Sequence, residues 1–228
     1  MKRNALIITL VILLAAAWAL WPQVSLHYLK LKALDDLTEG GTHSFTAREI
    51  REMTFDAVEI LNHLTVDFEQ SVFDLPQPQT SEIEKTGAYL EYENFRVSIV
   101  DTVDGEVLKN LPAELGSDDL AKMVFLDRIS DDLIRDAKTP EELKKAVALI
   151  TAKMMMTSVA SDGPTVQLQG DGYRGVLQGD FSENPKMVCH LKSDSGDLFL
   201  VLIVKTGEAI PEDVHQFLSE IRIHKKAE

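Results

Sequence analysis

Cysteine is almost absent. The 228-residue chain has one, Cys189. No intrachain disulfide can form, and no knot of several cysteines can hold a metal. An excess of positive charge is missing too. Lys and Arg total 23 against 37 Asp and Glu, a formal net charge of -14. Binding nucleic acid needs cationic surface to displace phosphate counterions, so this balance argues against a nucleic-acid partner. The H-E-x-x-H, G-x-S-x-G, P-loop and complete EF-hand strings are also missing. What remains is 45% apolar and 26% charged, a globular composition on a chain long enough to bury a core without disulfides.

One long apolar run stands out. After Met1-Lys2-Arg3-Asn4, residues Ala5 to Trp21 carry no charge and a single hydroxyl, Thr9. The run holds Ala5, Leu6, Ile7, Ile8, Leu10, Val11, Ile12, Leu13, Leu14, Trp18, Leu20 and Trp21. As a helix it reaches roughly 25 Å, the short end of a bilayer span. Trp18 and Trp21 then sit at the far interface, and Pro22 ends any continuation. Two readings compete, an uncleaved signal anchor and a secretory signal peptide cut near Ala15-Ala16-Ala17 or Ala17-Trp18-Ala19. The aromatics and the run beyond the alanines favour the anchor over that peptide and over a buried helix. No Cys lies near a cleavage site to carry a lipid. Lys2 and Arg3 precede the run, while Lys30 and Lys32 lie well after it, so the positive-inside bias points to a cytoplasmic N-terminus. The location expected is the bacterial inner membrane, single-pass, with the C-terminal domain periplasmic or extracellular.

Residues 23–75 read as membrane-proximal helices. Leu26, Leu29, Ala33, Leu34 and Leu37 follow helical spacing, and Gly40-Gly41 stops the helix. Thr46 and Glu49 have capping-box spacing. The stripe Ile50, Met53, Ala57, Ile60, Leu61, Leu64, Phe68 and Val72 then predicts one long amphipathic helix. Its face, above all Ile50, Met53, Ile60, Leu64 and Phe68, is a candidate surface for a membrane-protein partner or for self-association through 46–73. Packing on its own domain is the plainer alternative. Glu59, His63 and Asp67 share a face of that helix and read as a solvated surface, since one helix turn rarely supplies three metal ligands. Residues 76–86, opening Pro76-Gln77-Pro78-Gln79, read as a linker.

Residues 87–228 read as an α+β domain. Tyr89 to Val100 is an opening hairpin around Glu93-Asn94. One helix starts near Ser117 and runs to Ile134; another opens at Thr139-Pro140-Glu141-Glu142 with Leu143, Ala146, Val147, Ile150 and Met154 inward. Strands follow at 165–169, 173–181, 186–191 and 198–205, antiparallel because the turns are short. Leu198 to Val204 is apolar throughout and predicts cover on both faces. A closing helix starts near Pro211 with Val214, Phe217 and Leu218 inward, and Ile221 and Ile223 suggest an edge strand. The expected fold is an antiparallel sheet covered by helices, preceded by a membrane helix and an amphipathic helical segment. The Tyr/Phe-rich hairpin, the helices, the meander, the apolar strand Leu198 to Val204 and the closing segment Phe217 to Ile223 resemble the Mog1/PsbP-like superfamily. That resemblance spans the last two-thirds of the chain. It implies an α/β/α sandwich and a noncatalytic accessory or binding role, with no catalytic residues to carry over.

Apparent chemistry dissolves on inspection. Gly170-Asp171-Gly172-Tyr173-Arg174-Gly175 matches G-x-G-x-x-G, but a strand rather than a helix follows, so it reads as a hairpin turn. Cys189 and His190 are neighbours on a strand and point to opposite faces. Met154-Met155-Met156 spreads its sulfurs about 100° apart. Asp127, Asp131, Asp132 and Asp136 read as an acidic surface. Neither a cofactor nor a metal site is expected. The leading expectation is a membrane-tethered exported protein with a noncatalytic binding or assembly-accessory domain. The alternative is an exported hydrolase with scattered residues such as His190, His215, Asp171 and Asp180; a third is a chain whose stalk helices serve only to oligomerise.

Overall fold

The computed structural model describes residues 23–37, 46–57, 62–101, 117–157, 163–182 and 184–226. These divide into two compact units, one drawn from 47–128 and 152–228, the other from 1–46 and 129–151. The described chain is mixed α+β with one large sheet. Its strands are β1 (Ile50–Thr54), β2 (His63–Asp67), β3 (Ser71–Pro76), β4 (Thr80–Glu84), β5 (Gly87–Glu91), β6 (Phe95–Asp101), β7 (Thr165–Gly170), β8 (Tyr173–Gln178), β9 (Lys186–Ser193), β10 (Leu198–Lys205) and β11 (Arg222–Lys225). The helices are α1 (23–37), α2 (Asp119–Arg128), α3 (Asp132–Asp136), α4 (Pro140–Thr157) and α5 (Pro211–Ser219).

In the larger unit, eight strands form one sheet in the order β1-β7-β8-β9-β10-β6-β5-β4. Every pairing is antiparallel except β1 with β7. A second sheet, β11-β3-β2, is antiparallel throughout. The period-2 pleat gives the large sheet two different faces. Val166, Leu177, Cys189 and Val201 lie in one register row of the apolar face. The small sheet and α5 cover that face in a single buried cluster. Two aromatic triads hold it. Phe68, Phe73 and Phe199 meet at centroid distances of 4.6 to 5.2 Å and join the sheets. Tyr92, Phe95 and Phe217 meet at 5.1 to 5.7 Å and join α5 to the β5–β6 hairpin. Each edge-to-face or offset pair contributes about 0.5–1.5 kcal/mol beyond area burial. The α5 start is capped from within, the Ile210 N–H donating to the Asp213 carboxylate at 2.9 Å.

The smaller unit is helical where described. Thr139 Oγ1 accepts the Glu142 N–H at 3.1 Å and caps α4, as its sequence predicts. Leu143, Ala146, Leu149 and Ile150 of α4 are buried. Lys30 of α1 donates to the Arg135 carbonyl in α3 at 2.6 Å, placing a cation where helix carbonyls lack intrahelical partners.

Several expectations are corrected. The helix over 46–73 is not formed; β1, β2 and the start of β3 occupy its described residues. Leu64, Phe68 and Val72 are spaced by four, a step common to helical and strand periods. Val66 decides between them. It is buried on the face of β2 that also carries the half-buried Leu64, whereas a helix would turn it about 200° from Leu64. Ile50 and Met53 are half-buried strand residues, and Ile60 lies outside the described residues. The 76–86 segment is no linker, because β4 pairs with β5 across Thr80–Glu84. The domain begins before residue 87, since β1 to β4 belong to its sheets. The helix expected from Ser117 to Ile134 breaks at Ile129–Asp131 into α2 and α3. In β10, Phe199, Val201 and Ile203 are fully buried while Leu198, Leu200, Leu202 and Val204 are half-buried, so one face alone is closed. The hairpin reading of 170–175, the meander and the strand near Ile223 agree with the structure. No helix of the described residues is long and apolar enough to cross a membrane, and residues 1–22 lie outside them.

Gly172 in the β7–β8 turn has φ +76°, and a Cβ there would meet the Ile223 carbonyl oxygen at 1.7 Å. The Ile223 N–H also donates to the Asp171 carbonyl, so the backbones of the turn and β11 are in direct contact. Gly172→Ala should cost at least about 2 kcal/mol, combining left-handed strain with a backbone clash. Urea denaturation measures this, and an unchanged midpoint would contradict the contact.

Candidate functional site

The other face of the large sheet carries the polar side chains, and α2 lies across it. From Asp118 to Asp127 a helix advances about 13.5 Å at 1.5 Å per residue. From Arg174 to Gln178 a strand advances about 13.6 Å at 3.4 Å per residue. The two lengths match, and both ends are tied. Asp118 lies 3.4 Å from Arg174 and 3.7 Å from Lys192. Asp127 Oδ2 accepts from Gln178 Nε2 at 2.6 Å and from Thr165 Oγ1 at 2.8 Å. Between the ends, Leu120, Met123, Val124 and Leu126 supply buried apolar surface.

Asp127 is fully buried, which corrects its assignment to an acidic surface. It sits near the C-terminal end of α2, where the carbonyls lack helical partners. Its own carbonyl accepts the Arg48 N–H at 2.8 Å and Lys153 Nζ at 3.3 Å. The Arg48 Nε lies 3.9 Å from Asp127 Oδ1. One cation therefore approaches the carboxylate and another the negative end of the helix. Asp127 Oδ1, Gln178 Oε1 and Arg48 Nη1 are buried without a protein hydrogen bond. Such a cluster adds little net stability but penalises every arrangement that separates its members. It joins the segment before β1, the strands β7 and β8, and the end of α4 to α2.

At the other end of α2 the sheet face opens into a cleft of about 240 Å³. Glu52 and Thr54 of β1, Gln167 and Gln169 of β7, Arg174 of β8 and Asp118 line it. Asp118 is neutralised by Arg174 and Lys192. The remaining groups are amides, a hydroxyl and one carboxylate, suited to hydrogen-bonding a polar ligand. No nucleophile with an adjacent base lines the cleft, and among the described strands β1 beside it is the end strand of the sheet.

The residues singled out as scattered catalytic candidates do not converge. Asp171 and Asp180 flank opposite ends of β8, and Asp171 pairs with Arg222 at 3.4 Å. His190 is on the polar face of the sheet, level with Val176 and Leu200. His215 is on α5, which covers the opposite face. Cys189 is fully buried in the apolar cluster, and burial pushes its thiol well above the usual range. His63 and Asp67 are exposed on β2, while Glu59 lies outside the described residues. Among the described residues no three of His, Cys, Asp and Glu are placed to hold a metal. Sequence reading missed Arg48, Lys153, Thr165 and Gln178. One signal pointed to Asp127: it follows Leu120, Met123 and Val124 at helical spacing, a core position rather than a surface one. No family model matches the chain, and neither a curated protein nor a solved structure matches it.

Two predictions follow from this geometry. Asp127→Ala would leave Arg48 without its carboxylate and Gln178 and Thr165 without their acceptor, and should cost about 3–5 kcal/mol in urea denaturation. A loss below about 1 kcal/mol would show that the cluster does not hold α2. Burial lowers the His190 pKa from 6.5 to about 4. The unfolded chain therefore takes up a proton before the fold does, so stability falls as pH drops from 6.5 towards 4. His190→Gln should flatten that slope relative to wild type, by up to about 3 kcal/mol at pH 4. Parallel pH profiles for the two proteins would contradict a neutral buried imidazole.

Proposed function

We propose that this chain is a membrane-tethered exported protein whose sheet domain is a noncatalytic binding or assembly-accessory module. The single observation that carries the reading is the run Ala5 to Trp21, 17 residues without charge behind Lys2 and Arg3. The domain supports the second half of it. Its polar cleft is lined by amides, paired charges and a hydroxyl, and the histidines lie on opposite sides of the sheet. Those groups recognise a polar partner by hydrogen bonding. The Mog1/PsbP-like resemblance is part of the proposal. The layering supports it, with α2 on one face of the large sheet and α5 with the small sheet on the other.

The test is fractionation of cells expressing the full chain, followed by alkaline carbonate washing and sequencing of the mature N-terminus. The full chain should stay with the membranes and begin at its first residues, and a chain lacking 1–22 should be released. Release of the full chain, or an N-terminus beyond Ala17, would overturn the tether. Protection of the domain from external protease in intact spheroplasts would overturn its export.

A further inference from the structure

The described residues expose eight large apolar side chains, and four of them belong to α1. Helix α1 has two faces. Leu26, Lys30, Ala33, Leu34 and Leu37 are half-buried on one side, and Lys30 ties that side to α3. Val24, Tyr28 and Leu31 stand on the other, 60%, 65% and 55% exposed. Their steps of four and three put them on one stripe of the helix. A surface helix ordinarily turns charged or polar residues outward. We propose that this stripe lies in the headgroup interface of the lipid bilayer, so that α1 runs along the membrane surface as a strap. The proposal rests on the tether reading and specifies which protein face meets the lipid.

Continuity of the chain points to lipid as the occupant. The apolar run ends at Trp21, three residues before Val24. Even a fully extended chain spans only about 10 Å in that distance, so a membrane-embedded run holds Val24 at the interface. Pro22 lacks the N–H that would carry a helix straight on, and proline is at home in a first helical turn. Tyr28 has the apolar ring and polar tip that favour this depth. The next stripe position is Asp35, so insertion ends where the apolar side chains end. A seam of three residues is too short for a second copy to pair as a stable coiled coil.

The experiment uses the full chain in vesicles of phosphatidylcholine and phosphatidylglycerol at 3:1, with and without brominated phosphatidylcholine. Val24→Cys, Tyr28→Cys, Leu31→Cys and Leu29→Cys each carry an environment-sensitive fluorophore; Cys189 is fully buried. Leu29 is 44% exposed at the same height, but about 140° around the helix from Val24. Quenching at 24, 28 and 31 should exceed that at 29 at least twofold and decline from 24 to 31. All four sites are exposed, so circular dichroism should match the parent chain. If the chain floats with vesicles but all four sites quench alike, the tether stands and the strap is overturned. If the chain does not float, both fall. Fluorophore self-quenching that depends on protein density and not on bromine would assign the stripe to a second copy and overturn the lipid contact.

Discussion

A buried carboxylate, Asp127, is the constraint around which the polar side of the large sheet is arranged. Removing a charge from water costs several kcal/mol unless partners replace the lost hydration. Asp127 recovers part of it from Gln178 and Thr165, which donate to one oxygen, and from Arg48, whose Nε lies 3.9 Å from the other. Those partners come from segments far apart in sequence. The carboxylate meets these partners only when α2, β7, β8 and the segment entering β1 are all in place. The same network explains the one parallel pairing. The Arg48 N–H donates to the Asp127 carbonyl, and the Thr165 N–H donates to the Glu49 carbonyl. Together these bring β1 to the edge of the sheet alongside β7.

The two faces of that sheet divide the labour. The apolar face is closed by two aromatic triads, a small sheet and α5, and a polar anchor lies inside it. Tyr173 lies wholly within the cluster and donates its hydroxyl to the Leu218 carbonyl at 2.6 Å. Burial raises the Tyr173 pKa far above ordinary values, so the hydroxyl stays protonated and remains a donor. Among the described residues, a ten-residue helix lies across β1, β7 and β8 on the polar face. Where α2 begins, cover gives way to the cleft. Accessible hydrogen-bonding groups therefore collect on the side closed by charge, not on the side closed by apolar area.

How much of this was legible in the sequence depended on period. The meander from Thr165 to Lys205 was readable because glycine and aspartate turns bound each strand and set its register. The α4 start was readable because Thr139 and Glu142 are a local cap. The stretch from Ile50 to Val72 misled because its apolar residues recur by four, and only Val66 separates the alternatives. The Asp127 cluster was the least legible. Its members are ordinary polar residues drawn from five segments, and pairwise separations of up to 130 positions leave no local pattern. Cooperation of that kind is set by tertiary contact, and a single sequence records it only as one acid at a core position.

The mechanical consequence of a tether falls on the smaller unit. A chain held at residue 21 transmits any pull first to α1. The inner side of α1 is fastened by Lys30 to the end of α3, and α3 follows α2 after three residues, Ile129 to Asp131. The end of α2 is where Asp127 is buried. Ion pairs in low dielectric resist separation steeply at short range, whereas apolar contacts yield by sliding. Charge buried at the end of α2 holds that end to β7 and β8.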